Sequence, residues 1–236
     1  MNFFRRWVLT VAILVAVTGC ASGTAGPPTL QTGPDAEVTI DGLVRVDNAV
    51  VPVAYRKPDL DLTPYKRFML DPVEIAFQKD PGGRRQSSLA GGPGNFALTS
   101  SQMENLRGIF RESVVEALTR DEGYELTTEP GPDVLRVTAS LVDLVVNVPT
   151  ERAGRQDVYT RSYGLVSLIL ELRDSESGEI LVRAGDRRDP TRNTDVRLAE
   201  VNPVYVRADV QRLFGYWATL LRERLDAFAG GEGSPS

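Results

Sequence analysis

Histidine is absent from this chain of 236 residues, and cysteine occurs once, at Cys20. Without histidine, the chain lacks the usual general base of serine and cysteine hydrolases and the commonest zinc ligand. Without a second cysteine, it can form no internal disulfide. The chemistry that remains is that of carboxylates, lysines or non-catalytic binding, and the sequence indicates no cofactor, no metal site and no catalytic residue.

Long hydrophobic runs are also scarce. The run from Trp7 to Val17 is shorter than the roughly 20 residues needed to cross a bilayer, and it lies between Arg5-Arg6 and the small residues Thr18-Gly19. This order is typical of a secretory signal peptide. Residues 14–20, which end at Cys20, also resemble the bacterial lipobox, in which lipoprotein signal peptidase cuts before a diacylglyceryl cysteine.

The signal therefore predicts a lipid anchor. We expect residues 1–19 to be a lipoprotein signal peptide, cleavage to separate Gly19 from Cys20, and acyl chains such as palmitate on Cys20 to hold the mature protein on a membrane. An ordinary secretory signal with a chance cysteine, or an uncleaved anchor, is the alternative. Ala21 is not the Asp that favours inner-membrane retention, so we expect an outer-membrane location facing the periplasm.

Basic residues are in the minority. Removing residues 1–19 with their two arginines leaves 217 residues with 25 basic and 32 acidic side chains, a net charge of −7. Nucleic-acid binding would need a basic patch or stripe, and an acidic chain offers no such general footprint. We expect no nucleic-acid partner.

The rest of the chain predicts one domain between two irregular segments. Residues 20–35 are rich in Gly and Pro and predict a flexible tether, residues 36–229 a single α+β periplasmic domain, and residues 230–236 a disordered tail. Long β-rich segments are predicted at 67–77, 134–148, 158–173 and 179–184, with 135, 137, 139 and 141 on one face of their strand.

Two amphipathic helices complete the predicted domain. A capping box at Ser101-Gln102-Met103-Glu104 predicts the start of the first helix, and a stripe from Val206 to Phe228, ended by Gly230-Gly231, predicts the second. Trp217 lies on this stripe, so we expect it in the core. The predicted fold is a mixed, mostly antiparallel sheet of four to six strands with two main helices packed on one face.

Four segments resemble a known family. They are 65–73 (YKRFMLDPV), 131–137 (GPDVLRV), 172–181 (LRDSESGEIL) and 217–225, which begins Trp-Ala and ends Leu-Arg-Glu-Arg-Leu. Together they are similar to an uncharacterised family of bacterial lipoproteins defined by domain of unknown function 3313. None of the motifs is catalytic, so the resemblance implies no activity.

Two charged clusters are candidate sites. Asp174, Glu176 and Glu179 beside Gly178 could suggest a calcium loop, but the ligand spacing is incomplete and a hairpin tip is expected. The acidic residues at 186, 189 and 195 alternate with arginines, which favours mutual ion pairs over a glycosidase dyad. The arginines are also candidates for contacting peptidoglycan carboxylates or lipid phosphates: Arg183, Arg187, Arg188 and Arg192.

Three functional hypotheses follow. The leading one is a non-catalytic binding or structural module that meets another envelope component, either protein or cell wall. The second is a carboxylate-dependent cell-wall hydrolase, which requires paired carboxylates converging in a pocket. The third is a carrier of an apolar ligand, which requires an apolar cavity between the sheet and the helices.

Overall fold

The computed structural model describes residues 26–78, 97–147, 159–160, 162–191, 199–200 and 202–230. The predicted signal peptide, Gly19, Cys20 and Arg192 lie outside these ranges. The described strands are β1 (Thr29–Leu30), β2 (Val44–Asp47), β3 (Val53–Arg56), β4 (Arg67–Leu70), β5 (Glu74–Phe77), β6 (Glu125–Leu126), β7 (Val134–Val146), β8 (Tyr159–Thr160), β9 (Gly164–Asp174), β10 (Ile180–Arg188) and β11 (Ala199–Glu200). The helices are α1 (Ser100–Thr119) and α2 (Pro203–Ala229).

Nine of the described strands form one mixed sheet in the order β1-β2-β3-β10-β9-β7-β4-β6, with β5 also paired to β7. Strands β7, β9 and β10 form the predicted antiparallel meander, whereas β4 and β5 run parallel to β7. The mixed α+β class with two helices is confirmed. The predicted count of four to six strands is wrong, because residues 67–77 form two strands instead of one and β1 lies in the predicted tether.

Pro72 divides what the sequence predicts as one strand. Residues 67–77 form β4 and β5, separated by Asp71, Pro72 and Val73. Proline has no N–H to donate to a ladder, so pairing stops there. Both strands still pair with β7, and Asp71 accepts hydrogen bonds from Arg136 Nε at 2.8 Å and Thr138 Oγ1 at 3.0 Å on that strand.

The core lies between the sheet and the helices. Leu135, Val137, Ala139 and Leu141 of β7 are buried on one face, as predicted, and they pack with alternate residues of β9. Asp143 has a positive φ of 50° at a bulge opposite β9. The extra residue shifts the alternation by one, and the strand continues its core face with Leu144 and Val146.

Both helices contribute aromatic side chains to this core. The Phe110 ring of α1 meets the Phe214 ring of α2 edge-on at 5.4 Å between centroids, and Phe214 stacks on Trp217 at 5.8 Å. Trp217 is buried, which confirms its predicted core position. Gly230 follows the last residue of α2, as predicted.

The start of α1 differs from the prediction. Thr99, not Ser101, caps the helix, because Thr99 Oγ1 accepts from the Gln102 backbone N–H while Gln102 Oε1 accepts from the Thr99 backbone N–H. Residues 99–102 fit the capping-box pattern as well as residues 101–104 do, so the pattern alone could not choose between them.

Two segments are more ordered than the sequence indicates. Thr29 and Leu30, which fall in the predicted tether, pair with β2. Strand β10 continues to Arg188, although the sequence predicts its end at Ala184 and an irregular segment from Asp186. Asp186 can lie in a strand because its buried carboxylate has hydrogen-bond donors nearby.

Neither α1 nor α2 qualifies as a membrane-crossing helix, and no other helix occurs in the described ranges.

Candidate ligand-binding pocket

An apolar pocket of about 430 Å³ opens between the first turns of both helices and one end of the sheet. This volume falls within the range of roughly 300 to 1,000 Å³ that is usual for small-molecule sites. Its described walls are formed by Leu98, Gln102, Asn105, Leu106, Ile109, Leu144, Val145, Val146, Tyr163, Gly164, Leu165, Val166, Pro190, Pro203, Val206, Arg207, Val210, Leu213 and Phe214.

Helical spacing explains the two helical walls. In α1, Gln102, Asn105, Leu106 and Ile109 are three, four and seven residues apart and so share one face. The wall from α2 follows the same spacing through Val206, Val210 and Leu213. Ile109 and Leu213 are buried at the bottom, whereas Asn105 and Arg207 are exposed at the rim. The helices therefore supply an apolar interior and a polar mouth.

The sheet wall depends on two irregularities of the backbone. The bulge at Asp143 turns Leu144 and Val146 towards the core face. Gly164 has a φ of 143°, and a Cβ there would lie 1.8 Å from the Val145 carbonyl oxygen. Only glycine allows this close approach of the two strands.

The polar groups in the described wall are few. Gln102, Asn105 and Arg207 are the residues with polar or charged side chains apart from Tyr163, and none of the described lining residues is acidic. Arg207 makes no ion pair with any residue that the structure describes. A cationic group with no acidic partner among the described residues therefore lies at the mouth of an apolar pocket.

Backbone dipoles add to this positive potential. Both helices begin at the pocket, with Thr99 and Asn202 as their caps, and neither has an acidic residue in its first turn. The amino end of a helix carries a partial positive charge, which an acidic residue there would offset. The mouth of the pocket is thus electrostatically suited to an anionic group, although the chain as a whole is acidic.

A smaller pocket of about 190 Å³ lies beside α1 and contains Asp71 and Glu104. Each of these carboxylates has an arginine partner: Asp71 is 2.8 Å from Arg136 Nε, and Glu104 is 3.3 Å from Arg107 Nη1. Carboxylates that are neutralised separately do not form the mutually perturbed pair that a glycosidase requires.

The arginines predicted to contact an anion are not brought together. Arg183 is held by Glu171 at 2.7 Å and Asp41 at 2.6 Å, and the hydrogen bond that it donates to Glu171 raises its pKa. Arg188 is held by Asp186, which raises its pKa, and it faces the helices.

Arg187 is exposed, and it makes no side-chain ion pair within the described ranges. Arg192, Asp195 and Arg197 lie outside the described residues. Two of the four predicted contacts are therefore already neutralised by neighbouring carboxylates.

The acidic hairpin between β9 and β10 is stabilised by its own backbone. Asp174 Oδ1 accepts from the backbone N–H and the hydroxyl of Ser177, both at 2.7 Å, and these bonds lower the pKa of Asp174. Glu179 pairs with Lys57. No group of three or more potential metal ligands is found among the described residues.

The sequence predicts Val206, Val210 and Leu213 as part of a helical stripe, but it does not indicate that they line a pocket. Arg207 lies between Val206 and Val210 of the predicted stripe, and this charged position at the edge of an apolar stripe was the available signal. Gln102 lies in the predicted capping box, and no pattern in the sequence indicates a role for Asn105. The pocket exists only where two distant helices and two strand ends meet.

The chain is similar at low sequence identity to several solved structures, all with TM-scores below 0.5. PelC L103M from Paraburkholderia phytofirmans, crystallised as a dodecamer, is 10% identical, with 72% of this chain and 96% of that chain covered and a TM-score of 0.35. Protein XCC0632 from Xanthomonas campestris, of family DUF330, is 13% identical, with 75% of this chain and 91% of that chain covered and a TM-score of 0.37. A candidate lipoprotein from Caulobacter crescentus is 16% identical, with 56% of this chain and 87% of that chain covered and a TM-score of 0.31.

No curated protein matches the chain. The family model described as protein of unknown function (DUF3313) matches residues 41–221. This range includes most of the sheet, all of α1, and α2 as far as Leu221. It contains most of the motifs that carried the resemblance, and it covers well over half of the chain. The chain therefore belongs to the DUF3313 family.

Proposed function

We propose that this protein is a lipid-anchored envelope lipoprotein whose domain is a non-catalytic module that binds an apolar ligand. The observation that carries the proposal is the apolar pocket of about 430 Å³ between the helices and the sheet. The hypothesis of an apolar-ligand carrier requires such a cavity. The ligand would be a component of the envelope, which joins this hypothesis to the leading one.

The anchor rests on the amino-terminal sequence. Cys20 follows a short apolar run and Gly19, and the chain from Cys20 onward has no other thiol. Acylation contributes about 0.8 kcal/mol per buried methylene, so two or three chains bind a membrane durably. With Ala21 after the cysteine, the proposed location is the periplasmic face of the outer membrane.

The composition of the pocket favours binding over hydrolysis. A carboxylate-dependent hydrolase needs an acid and a base or nucleophile about 5 to 9.5 Å apart in its cleft. The described wall of the larger pocket holds no carboxylate, and in the smaller pocket Asp71 and Glu104 have arginine partners. Docking through the arginine cluster has less support, because Arg183 and Arg188 are also paired.

Binding can be tested with a neutral apolar probe. The protein is the chain from residue 20 onward with Cys20→Ser, which keeps every described residue and removes the lipid. We expect N-phenyl-1-naphthylamine to increase its fluorescence on binding and Val210→Trp, which fills the pocket, to abolish the increase. Val204→Trp is the matched control, because Val204 is 70% exposed on α2 and does not line the pocket.

A second variant keeps the test valid if Val210→Trp does not fold. Leu106→Phe fills the pocket from α1 with a smaller increase in volume, and thermal unfolding followed by circular dichroism verifies that each variant is folded. Undiminished probe binding in both folded pocket variants would contradict the proposed site. Digestion of purified peptidoglycan by the protein would contradict the non-catalytic assignment.

The anchor has its own test. Mass spectrometry of the mature amino terminus should find residue 20 as the first residue, carrying a diacylglyceryl group and an amide-linked acyl chain. Membrane fractionation should recover the protein with the outer membrane. A chain that still begins at Met1, or an unmodified Cys20, would refute the anchor.

A further inference from the structure

The mouth of the apolar pocket differs in charge from the rest of the protein. The chain carries a net charge of −5, yet the described pocket wall contains one charged residue, the cation Arg207. Several other described arginines are paired, as Arg212 is with Asp209 at 3.0 Å. A cation that forms no ion pair within the described part of the chain, placed beside an apolar interior, suits a ligand that brings its own negative charge.

The other polar groups around the mouth of the pocket also favour a negatively charged ligand group. Gln102 and Asn105 lie on the α1 side, and neither is acidic. Both helices direct their amino ends to the same region without an acidic residue in the first turn. A negative head group there would gain from Arg207 and from both dipoles, and it would meet no carboxylate in the described wall.

The interior of the pocket indicates the chemistry of the apolar part of the ligand. Below the rim, the wall is formed by leucine, isoleucine, valine and phenylalanine side chains, with Leu213 and Phe214 buried at the bottom. A volume near the lower end of the range for ligand sites suits one hydrocarbon chain better than a whole two-chain lipid.

We infer that the pocket binds a single-chain amphiphile with an anionic head group, the chain lying against Leu213 and Phe214 and the head group contacting Arg207. This inference rests on the proposed function and specifies its ligand class. A carboxylate and a phosphate both match the guanidinium, so the experiment includes both.

The test compares four amphiphiles with the same twelve-carbon chain, with the ionic compounds below their critical micelle concentrations and the alcohol below its solubility limit. They are dodecanoate, dodecyl phosphate, 1-dodecanol and dodecyltrimethylammonium, added to the Cys20→Ser chain from residue 20 onward. Isothermal titration calorimetry measures the Kd values. We expect at least one anionic compound to bind about tenfold more tightly than 1-dodecanol, since a charge-assisted hydrogen bond contributes on this scale.

Arg207→Gln should remove most of that preference and leave the Kd of 1-dodecanol unchanged. Arg224→Gln is the matched control: Arg224 is also exposed on α2, 17 residues further along, about 25 Å along the helix axis. Arg224→Gln should leave the preference for the anionic compound over 1-dodecanol unchanged. Shortening the preferred compound from twelve to ten carbons should weaken binding by roughly tenfold, because two methylenes leave the pocket.

The outcomes separate this inference from the proposed function. Equal binding of the anionic and neutral compounds, preference for the cation, or the same result for Arg207→Gln and Arg224→Gln would overturn the anionic head group while the apolar site stands. If no amphiphile and no N-phenyl-1-naphthylamine binds to the folded protein, the pocket is filled by the chain itself, and both proposals fail.

Discussion

Replacing Asp186 by alanine should destabilise the protein more than any change at an exposed aspartate. Asp186 is 7% exposed, on the face of β10 that meets the helices. Its Oδ2 accepts from Trp217 Nε1 at 2.9 Å and from Arg188 Nε at 2.5 Å, and its Oδ1 accepts from the Arg187 backbone N–H at 2.9 Å. The carboxylate thus links β10 to α2.

The expected magnitude follows from what each partner loses. The Trp217 N–H is buried and would have no acceptor, which costs about 1 to 3 kcal/mol. Arg188 is 41% exposed in its side chain, so its lost ion pair adds about 1 kcal/mol or less. Asp186→Ala should lower the free energy of unfolding by about 3 kcal/mol, and Asp186→Asn by about 1 kcal/mol because its amide oxygen can still accept from Trp217.

Urea unfolding gives this measurement directly. Trp217 is the only tryptophan from residue 20 onward, so its fluorescence reports on the same region, and far-ultraviolet circular dichroism follows the whole fold. The loss corresponds to a fall in Tm of roughly 6 to 12 °C for a domain of this size. Asp59→Ala, at an exposed turn, is the control and should stay within about 0.5 kcal/mol. A similarly small effect for Asp186→Ala would refute the reasoning.

Three other variants test the core, the sheet and one titrating group. Phe110→Ala should cost about 3 to 5 kcal/mol in urea unfolding, since it empties a fully buried site against the ring of α2. Gly164→Ala should cost about 2 kcal/mol or more in the same assay, because its Cβ would overlap the Val145 carbonyl oxygen at a positive φ; a neutral effect would contradict the strand geometry. Burial, with help from Asp174, raises the pKa of Tyr65 to about 12, so the folded state keeps its proton longer than the unfolded state. The free energy of unfolding should therefore fall between pH 10 and 12, and Tyr65→Phe should make that fall shallower when unfolding is repeated across this range.

The longer elements were predictable because each has enough residues for its own period. The structure contains both the predicted apolar stripe of α2 and the predicted alternation of buried residues from Leu135 to Leu141. Short strands such as β2 and β3 were harder to predict, because a four-residue strand is defined by its partner and not by its own pattern. The continuation of β10 through Asp186 was not predicted for a related reason. An aspartate usually indicates a loop, and the sequence does not show that Trp217 and Arg188 donate hydrogen bonds to this carboxylate.

The site was less predictable than the fold. Sequence reasoning chose Arg183 and Arg188 for their local density, but charges that alternate along a strand can neutralise each other across neighbouring strands. Arg207 was not predicted as a site residue, because its distinguishing property is its position at the mouth of the pocket, and that position depends on residues far away in the chain.

By itself, the sequence determined the family, the two helices with their apolar faces, the antiparallel meander and the exclusion of histidine and thiol chemistry from the domain. These features depend on composition and on local periodicity. Only the tertiary structure decided where the first turns of α1 and α2 meet the bulged end of β7. The pocket and the charge at its mouth arise from that meeting, because they require side chains that are distant in sequence to share one space.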